Sequence, residues 1–525
     1  MKDSHGVLKF PSPQSNQASL PGITELLEFL EGRRRPDAVP IQDLEAFERE
    51  VHARFVAAER EVLGEELARL DIDRPTVEVG GLVHRQVERC EETYFSASGP
   101  VRVERSLYST RAPGERAICP LELRAGIVEG RWTPLAAKQA VWVVAHLTPG
   151  EGEELFRRMG NMTPSKSSLD RLPKLISKKW ETNRAEFEAA LRKEEAVPQE
   201  AAAIAASLDG VMLRIEDPKN HHEKPPEPEA RAAATEEAAG RTAEEPAANT
   251  IAKRDTSRVP EKPAALDDDE DTRNPYHEAA CGTVSVYDRE GDVLSVIRLA
   301  RMPEKGKKTL KAMVLAEVSA ILAVRPDLAV EALADGARDN WSFLSKELPK
   351  VLPEGKVVTE ALDFFHATEH LEEALKAYYG ESKKRSAQFE KFRHQLRHEN
   401  GGNEAIIRSL RHLADKKPQS KVLKRELKYF RRNRNRMKYA ELKERNLPIG
   451  TGIQEAACKT LVVQRARRSG ICWGSTGEGG QAILTFRSLA QSNRFDRAWD
   501  LLRHTYLRDV TTPADAKVIP LRKSG

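Results

Sequence analysis

The chain has 525 residues, 39% hydrophobic and 32% charged, with a formal net charge of only +4. No apolar run reaches the roughly 18 residues of a membrane span, and the opening MKDSHGVLKFPSPQSNQ lacks the apolar centre of a signal peptide, so a cytoplasmic protein with no membrane partner is expected. Cys90, Cys119, Cys281, Cys458 and Cys472 are scattered without a C-x-x-C pair, which argues against a disulfide scaffold or zinc ribbon.

In chain order, residues 1–21 carry no pattern and are expected to be disordered. A helical segment, 22–75, follows. In its second helix Leu44, Phe47, Val51, Phe55, Ala58, Val62 and Leu70 form an apolar stripe that could pack on its own domain or dimerise. Residues 76–132 form a small β-rich region, with VEVGGLVHRQVER and VRVERSLYSTR flanking a Ser-Gly-Pro turn. In 133–200, TPGEGEELFRRMG and TPSKSSLDRLPKLISKKW read as two short helices around a glycine turn, the layout of a DNA-binding helix-turn-helix. Ser165, Lys166, Ser168 and Arg171 would then open a recognition helix; an ordinary helical hairpin has the same pattern.

Residues 201–380 begin with AAIAASLDGVMLRI, a strand-like run ending near Asp209. The stretch 217–275 is rich in Pro, Ala and Glu with almost no large apolar residues, and is expected to be a disordered acidic loop. CGTVSVYDREGDVLSVIRLA predicts a hairpin, followed by a helix from Thr309 to Val324, a strand ending near Asp335, a helix through Trp341 and a strand through Val357 and Val358. Antiparallel strands first and strand-helix alternation afterwards is the order of an RNase H-like α/β core. In LDFFHATEHLEEALKAYYG, His366 and His370 share a helix face and could bind a metal with Asp363, but further soft ligands are missing.

A basic helical insertion, 381–445, carries 21 Lys and Arg against 8 Asp and Glu. Tyr429, Phe430 and Tyr439 are interleaved there with Arg431, Arg432, Arg434, Arg436 and Lys438, a mix that can stack on bases and neutralise phosphates; the bland alternative is a solvated face.

The last part of the core, 446–510, contains LPIGTGIQEAACKTLVVQRARRSGICW. Thr451 and Gln454 have capping-box spacing, so a helix should begin there with Ile453, Ala456, Ala457 and Leu461 facing inward. Glu455 would lie in its first turn, off that stripe, with Lys459, Arg465, Arg467 and Arg468, and these four basic residues are expected to contact DNA. Alone, Glu455 could simply pair with Lys459, for about 0.3 to 0.5 kcal/mol. Together, Asp209, Asp335 and Glu455 make the carboxylate set of a two-metal phosphoryl-transfer site, suited to two Mg2+ or Mn2+ ions. The GSTGEGGQA run lacks a G-K-[ST] ending and is no P-loop; 511–525 is a tail.

PIGTGIQEAACKTLVVQRARRSGICW and GGQAILTFRSLAQSNRFDRAW resemble the C-terminal signature of bacterial DDE insertion-sequence transposases of the Kra group. SLDGVM, EAACGTVSVYDREGDVLSVIRLARMPE, LADGARDNW and CPLELRAGIVEGRWTPLAAKQA resemble earlier blocks of that family, and only 1–75 and 217–275 have no match. The resemblance implies an RNase H-like catalytic core, Asp209, Asp335 and Glu455 as the triad, and DNA strand cleavage and transfer. The implied partners are element ends and target DNA, bound by a homodimer or higher oligomer at the nucleoid. Asp363 and His366 form a D-x-x-H resembling one in Mutator-like transposases, outside the triad, which implies a supporting role. A domesticated, non-cutting DNA-binding protein and a structure-selective RNase H-fold nuclease are the alternatives.

Overall fold

The computed structural model describes residues 20–110, 114–215, 275–469, 471–474 and 476–512. The two stretches expected to be disordered, 1–21 and 217–275, lie almost wholly outside the described residues, as does most of the tail.

The chain opens with α1 (Pro21–Arg34) and α2 (Leu44–Arg69). Asp43 caps α2 by accepting the Ala46 N–H at 3.1 Å. The stripe expected on α2 is only partly covered: Ala58 is buried, whereas Leu44, Phe55 and Val62 remain exposed. Next come β1 (Thr76–Val79), β2 (Leu82–Ser96) and β3 (Gly99–Ser109), an antiparallel meander, then α3 (Pro120–Ala125) and α4 (Pro134–His146). Thr148 and Glu151 form a capping box at the start of α5 (Pro149–Met159). The following α6 (Lys166–Glu194) runs for 29 residues, so the short second helix expected of a helix-turn-helix is not what forms. Its buried face from Leu169 to Leu191 is continuous, and that burial, rather than a turn signal, sets its length. Lys166 and Arg171 are exposed near its start.

The main sheet contains β4 (Ala203–Arg214), β5 (Tyr276–Tyr287) and β6 (Val293–Arg301), followed by α7 (Lys308–Val324), β7 (Ala329–Ala334), α8 (Arg338–Lys346), β8 (Val358–Leu362) and α9 (Phe364–Tyr379). Its order is β6-β5-β4-β7-β8, with β6, β5 and β4 antiparallel and β4, β7 and β8 parallel. The architecture is thus mixed α/β. At the β5–β6 turn, Asp288 Oδ1 accepts the N–H groups of Glu290 and Asp292 at 3.0 and 2.8 Å. Gly282 lets α7 approach the sheet, because a Cβ there would stand 2.8 Å from Val314 Cγ2.

The basic insertion folds as α10 (Lys383–His398), α11 (Gly402–Lys416), α12 (Lys421–Asn433) and α13 (Tyr439–Glu444). Phe392, Leu396, Ile406, Leu410, Phe430 and Tyr439 belong to the same apolar core as the sheet, so the insertion is part of the main body. Then α14 (Gly452–Ala457) passes into a π-helical turn, Cys458–Val463, and a last turn, α15 (Gln464–Ala466). The inward face is not the expected one: Ala456 is exposed and Ile453 half-buried, whereas Gln454, Ala457, Cys458 and Leu461 are buried at ordinary helical spacing.

The chain ends in α16 (Glu478–Gln491), α17 (Phe495–His504) and β9 (Val510–Thr511). Ile483, Phe486, Phe495 and Trp499 from these helices pack with Val144, Leu172, Ile176 and Trp180 of α4 and α6, and β9 pairs with β1. The expected segments 133–200 and 446–510 therefore share one core. Among the described residues no helix is long and apolar enough to cross a membrane.

Candidate active site

Strand pairing brings the first two candidate acids together. The parallel ladder between β4 and β7 ends at Ala206–Ala332, and Asp209 and Asp335 each lie three residues beyond that pair. Asp209 is inside β4 rather than at its end, because pairing with β5 continues from Asp209–Cys281 to Arg214–Tyr276 after β7 has departed. Asn340 bridges the opening: its amide donates to Leu208 O at 3.1 Å and to Asp335 Oδ1 at 3.5 Å. Asp335 Oδ1 also accepts the Ala337 N–H at 3.0 Å, and its backbone carbonyl accepts the Trp341 indole N–H. Nothing in the sequence singled out Asn340 except its nearness to Asp335.

Asp363 directly follows β8, its N–H bonded to Ala334 O at 2.9 Å. Its carboxylate is 1% exposed and fully engaged. Oδ1 caps α9 by accepting the His366 N–H at 2.5 Å, and Oδ2 accepts the Thr451 N–H and hydroxyl at 2.5 and 2.8 Å. These bonds replace the capping box expected at Thr451, which gives α14 no side-chain cap. Gln454 is turned inward instead, donating to Cys281 O at 3.2 Å and accepting from Thr283 Oγ1 at 2.9 Å. With Thr451 and Gln454 both tied to the sheet, Glu455 projects from an anchored turn, its Oε1 3.1 Å from Thr451 Oγ1.

Asp209, Asp335 and Glu455 line one cleft of about 170 Å³, together with Asp363, His366, Glu369 and Thr451. Another acid close to Asp335, Asp339, is exposed on α8 and paired with Lys311 at 3.1 Å, outside that lining. Cys458 Sγ approaches Asp209 Oδ2 at 3.8 Å. Its neighbour Cys281 has a thiol held well above its ordinary value by hydrogen bonding to Cys458 and by burial. Among the described residues no three His, Cys, Asp or Glu side chains are gathered closely enough to hold a metal ion. The donor set of the cleft is nonetheless mainly carboxylate oxygen, which by chemistry fits a hard divalent cation and disfavours a soft one.

Of the helical His pair, one member is engaged away from the cleft. His370 stacks on Tyr429, 3.6 Å between centroids, and its Nδ1 stands 2.5 Å from Glu426 Oε2. Burial alone would raise the Glu426 carboxyl, yet hydrogen bonds from His370 and Arg425 keep it below its ordinary value. His366 remains in the cleft lining.

The expected DNA-contacting residues separate into two groups. Arg431, Arg434, Lys459 and Arg467 are exposed, as is Arg432, which donates to Gly336 O at 3.1 Å. Arg436 is occupied by Glu360 at 2.6 Å and lies over the Trp341 ring, so it serves packing. Arg465 is buried, and Arg468 pairs with Glu151 at 2.8 Å. The aromatic residues expected to stack on bases do not reach solvent: Tyr429, Phe430 and Tyr439 are all buried. Their alternation with arginine is the amphipathic pattern of a helix packed on one side. Tyr429 lies against the Asp335 turn, where a Cβ on Gly336 would stand 2.6 Å from its ring. Burial, then the Asp335 carboxylate, hold its hydroxyl above the ordinary range.

No protein-family model matches this chain, and no curated protein matches it.

Proposed function

We propose that this protein is a metal-dependent DNA strand-cleaving and strand-transferring enzyme of the DDE transposase type. The observation that carries this reading is the convergence of Asp209, Asp335 and Glu455, each more than a hundred residues from the next, on one cleft. Three further observations support it. The mixed sheet, three antiparallel strands followed by two parallel ones, is compatible with the RNase H-like core that the resemblance implies. The acids stand at neighbouring strands and on a late helix, as the sequence resemblance implies. Arg431, Arg434, Lys459 and Arg467 leave positive charge in solvent where DNA phosphates could meet it.

Asp209, Asp335 and Glu455 would hold two Mg2+ or Mn2+ ions, which when bound supply charge neutralisation at the entering and leaving oxygens of a phosphodiester. The chain's own part is positional. Asp363 fixes the Thr451 turn, Thr451 and Gln454 fix the base of Glu455, and Asn340 sets the gap between the two strands carrying Asp209 and Asp335. Water and a DNA 3′-hydroxyl would be the nucleophiles, and no side chain need form a covalent intermediate. A homodimer on DNA is the natural assembly for handling two element ends, and exposed Leu44, Phe55 and Val62 on α2 are the surface we assign to it.

A second reading is a non-cutting DNA-binding protein, because the exposed Arg431, Arg434, Lys459 and Arg467 would serve binding without cleavage. Incubation with DNA carrying the sequences that flank the gene, with any inverted repeats found there, in Mg2+ or Mn2+, separates the two. Strand nicks at the repeat ends, lost in Asp209→Asn, Asp335→Asn and Glu455→Gln, support the enzyme; binding without nicks in either metal supports the other.

A further inference from the structure

Behind the helix that carries Glu455 lies a second cavity, of about 410 Å³, lined among others by Thr148, Asp170, Lys174, Arg465 and Trp473. Arg465 is only 3% exposed, yet among the described residues its side chain makes a single hydrogen bond, from Nε to Val144 O at 3.3 Å. Arg487, 5% exposed, donates to Ala145 O at 3.0 Å, to Gln464 Oε1 at 3.4 Å and to Thr460 O, all neutral acceptors. Among the described residues neither guanidinium has an acidic partner. The nearby acids are already matched: Glu151 with Arg468 at 2.8 Å, Asp170 with Lys174 at 2.6 Å and Glu478 with Lys178 at 3.3 Å.

Burying an unmatched charge is costly, and proteins ordinarily provide a counter-charge. Two such cations side by side compound the cost. Burial and then the neighbouring Arg468 and Arg487 push the Arg465 guanidinium down to about 10, against a smaller opposing pull from Glu151 and Asp170. Among the described residues most of the Arg465 N–H donors have no acceptor, and the residue lines the cavity. A planar fork of unused donors beside an open space is the arrangement that recognises phosphate oxygens.

We infer that this cavity is an anion site for a phosphate group, with Arg465 as its direct ligand and Arg487 as supporting charge. The inference stands apart from the cleavage reading, because it concerns binding at a cavity with a different lining. The phosphate could belong to a DNA 5′ end or be free in solution; the guanidinium chemistry is the same.

The test is thermal unfolding of the full chain in inorganic phosphate against chloride of matched ionic strength. A ligand at about a hundred times its dissociation constant should raise the melting temperature by about 3 °C for a chain of this size. Arg465→Met should melt no lower than wild type in chloride, since it removes an unmatched buried charge, and should show no phosphate-dependent rise. Arg465→Lys, which keeps the charge, should show a reduced rise and covers the case in which the methionine variant does not fold. Short duplexes with 5′-phosphate or 5′-hydroxyl ends then identify the source. Competition with inorganic phosphate by the phosphorylated duplex alone assigns DNA ends; competition by neither assigns free phosphate. A flat wild-type response to phosphate, or an undiminished rise in both variants, overturns the site.

Discussion

Asp363 accepts both the backbone N–H and the hydroxyl of Thr451, and this pair of bonds spans 88 residues to hold the turn from which Glu455 emerges. An acid expected to play a supporting role is thus a buried tie between β8 and α14. Asp363→Asn keeps the volume but weakens three charge-assisted bonds. It should lower unfolding stability by about 2 to 4 kcal/mol, since bonds to a charged acceptor contribute about 1.5 to 3 kcal/mol each and asparagine retains part of them. Denaturant unfolding checks this, and a stability equal to wild type would remove Asp363 from its structural role.

Asp209→Asn, Asp335→Asn and Glu455→Gln should behave in the opposite way, with folding and DNA binding retained and strand cleavage reduced by about a thousandfold or more. Groups acting as a unit are strongly non-additive, so a double variant should lose little beyond a single one. Asp339→Asn, which disturbs only the pair with Lys311, should cleave near the wild-type rate. Cleavage of a labelled repeat-end duplex measures all of these. Wild-type activity in Glu455→Gln combined with loss in Asp339→Asn would refute the assignment.

The basic insertion predicts a contrast between exposed and engaged arginines. Replacing Arg431 and Arg434 with Ala should weaken DNA binding for any sequence and lower the salt slope by about 0.9 for each phosphate that is no longer neutralised. Arg436→Ala should instead destabilise the fold, because Glu360 loses its partner and Trp341 its covering cation. Binding isotherms at several salt concentrations, beside melting curves, distinguish the two effects.

Glu331, on β7, is fully buried, and neither carboxylate oxygen has a hydrogen-bond partner among the described residues. Burial, partly offset by Arg445, raises its carboxyl well above 4.5. A raised folded value means that stability is fully present below about 4.5 and is lost as pH climbs toward the folded value, because only the unfolded chain ionises freely. Glu331→Gln removes that dependence. It should melt close to wild type at pH 4.5 and increasingly above it toward neutral pH, by up to about 1.4 kcal/mol per unit. Parallel melting curves for the two proteins across that range would contradict the prediction.

The sequence was most legible where local chemistry and tertiary packing agree. The hairpin around Asp288, the helix beginning near Thr309 and the strand before Asp335 all form near their expected bounds, because alternation, turn residues and burial point the same way. The cleft itself was legible only as three acids in suggestive contexts. That Asp209 falls opposite Asp335 depends on the β4–β7 register, which no local pattern encodes. The Thr451 and Gln454 spacing was misleading because stronger acceptors elsewhere in the fold, Asp363 and the β5 backbone, capture both side chains. The aromatic residues at 429, 430 and 439 misled for a related reason: composition shows an amphipathic helix but not which face is covered.

The pairing of β9 with β1, and the seating of α16 and α17 against α4 and α6, also bear on the order of events during synthesis. As the nascent chain leaves the ribosome, α4 and α6 appear early but lack Ile483, Phe486, Phe495 and Trp499, the apolar side chains that close their core. That earlier-made region must wait, incompletely packed, until residues 483 to 502 have been translated. A premature stop shortly after Glu455 would therefore retain all three cleft acids and still lose the body that supports them.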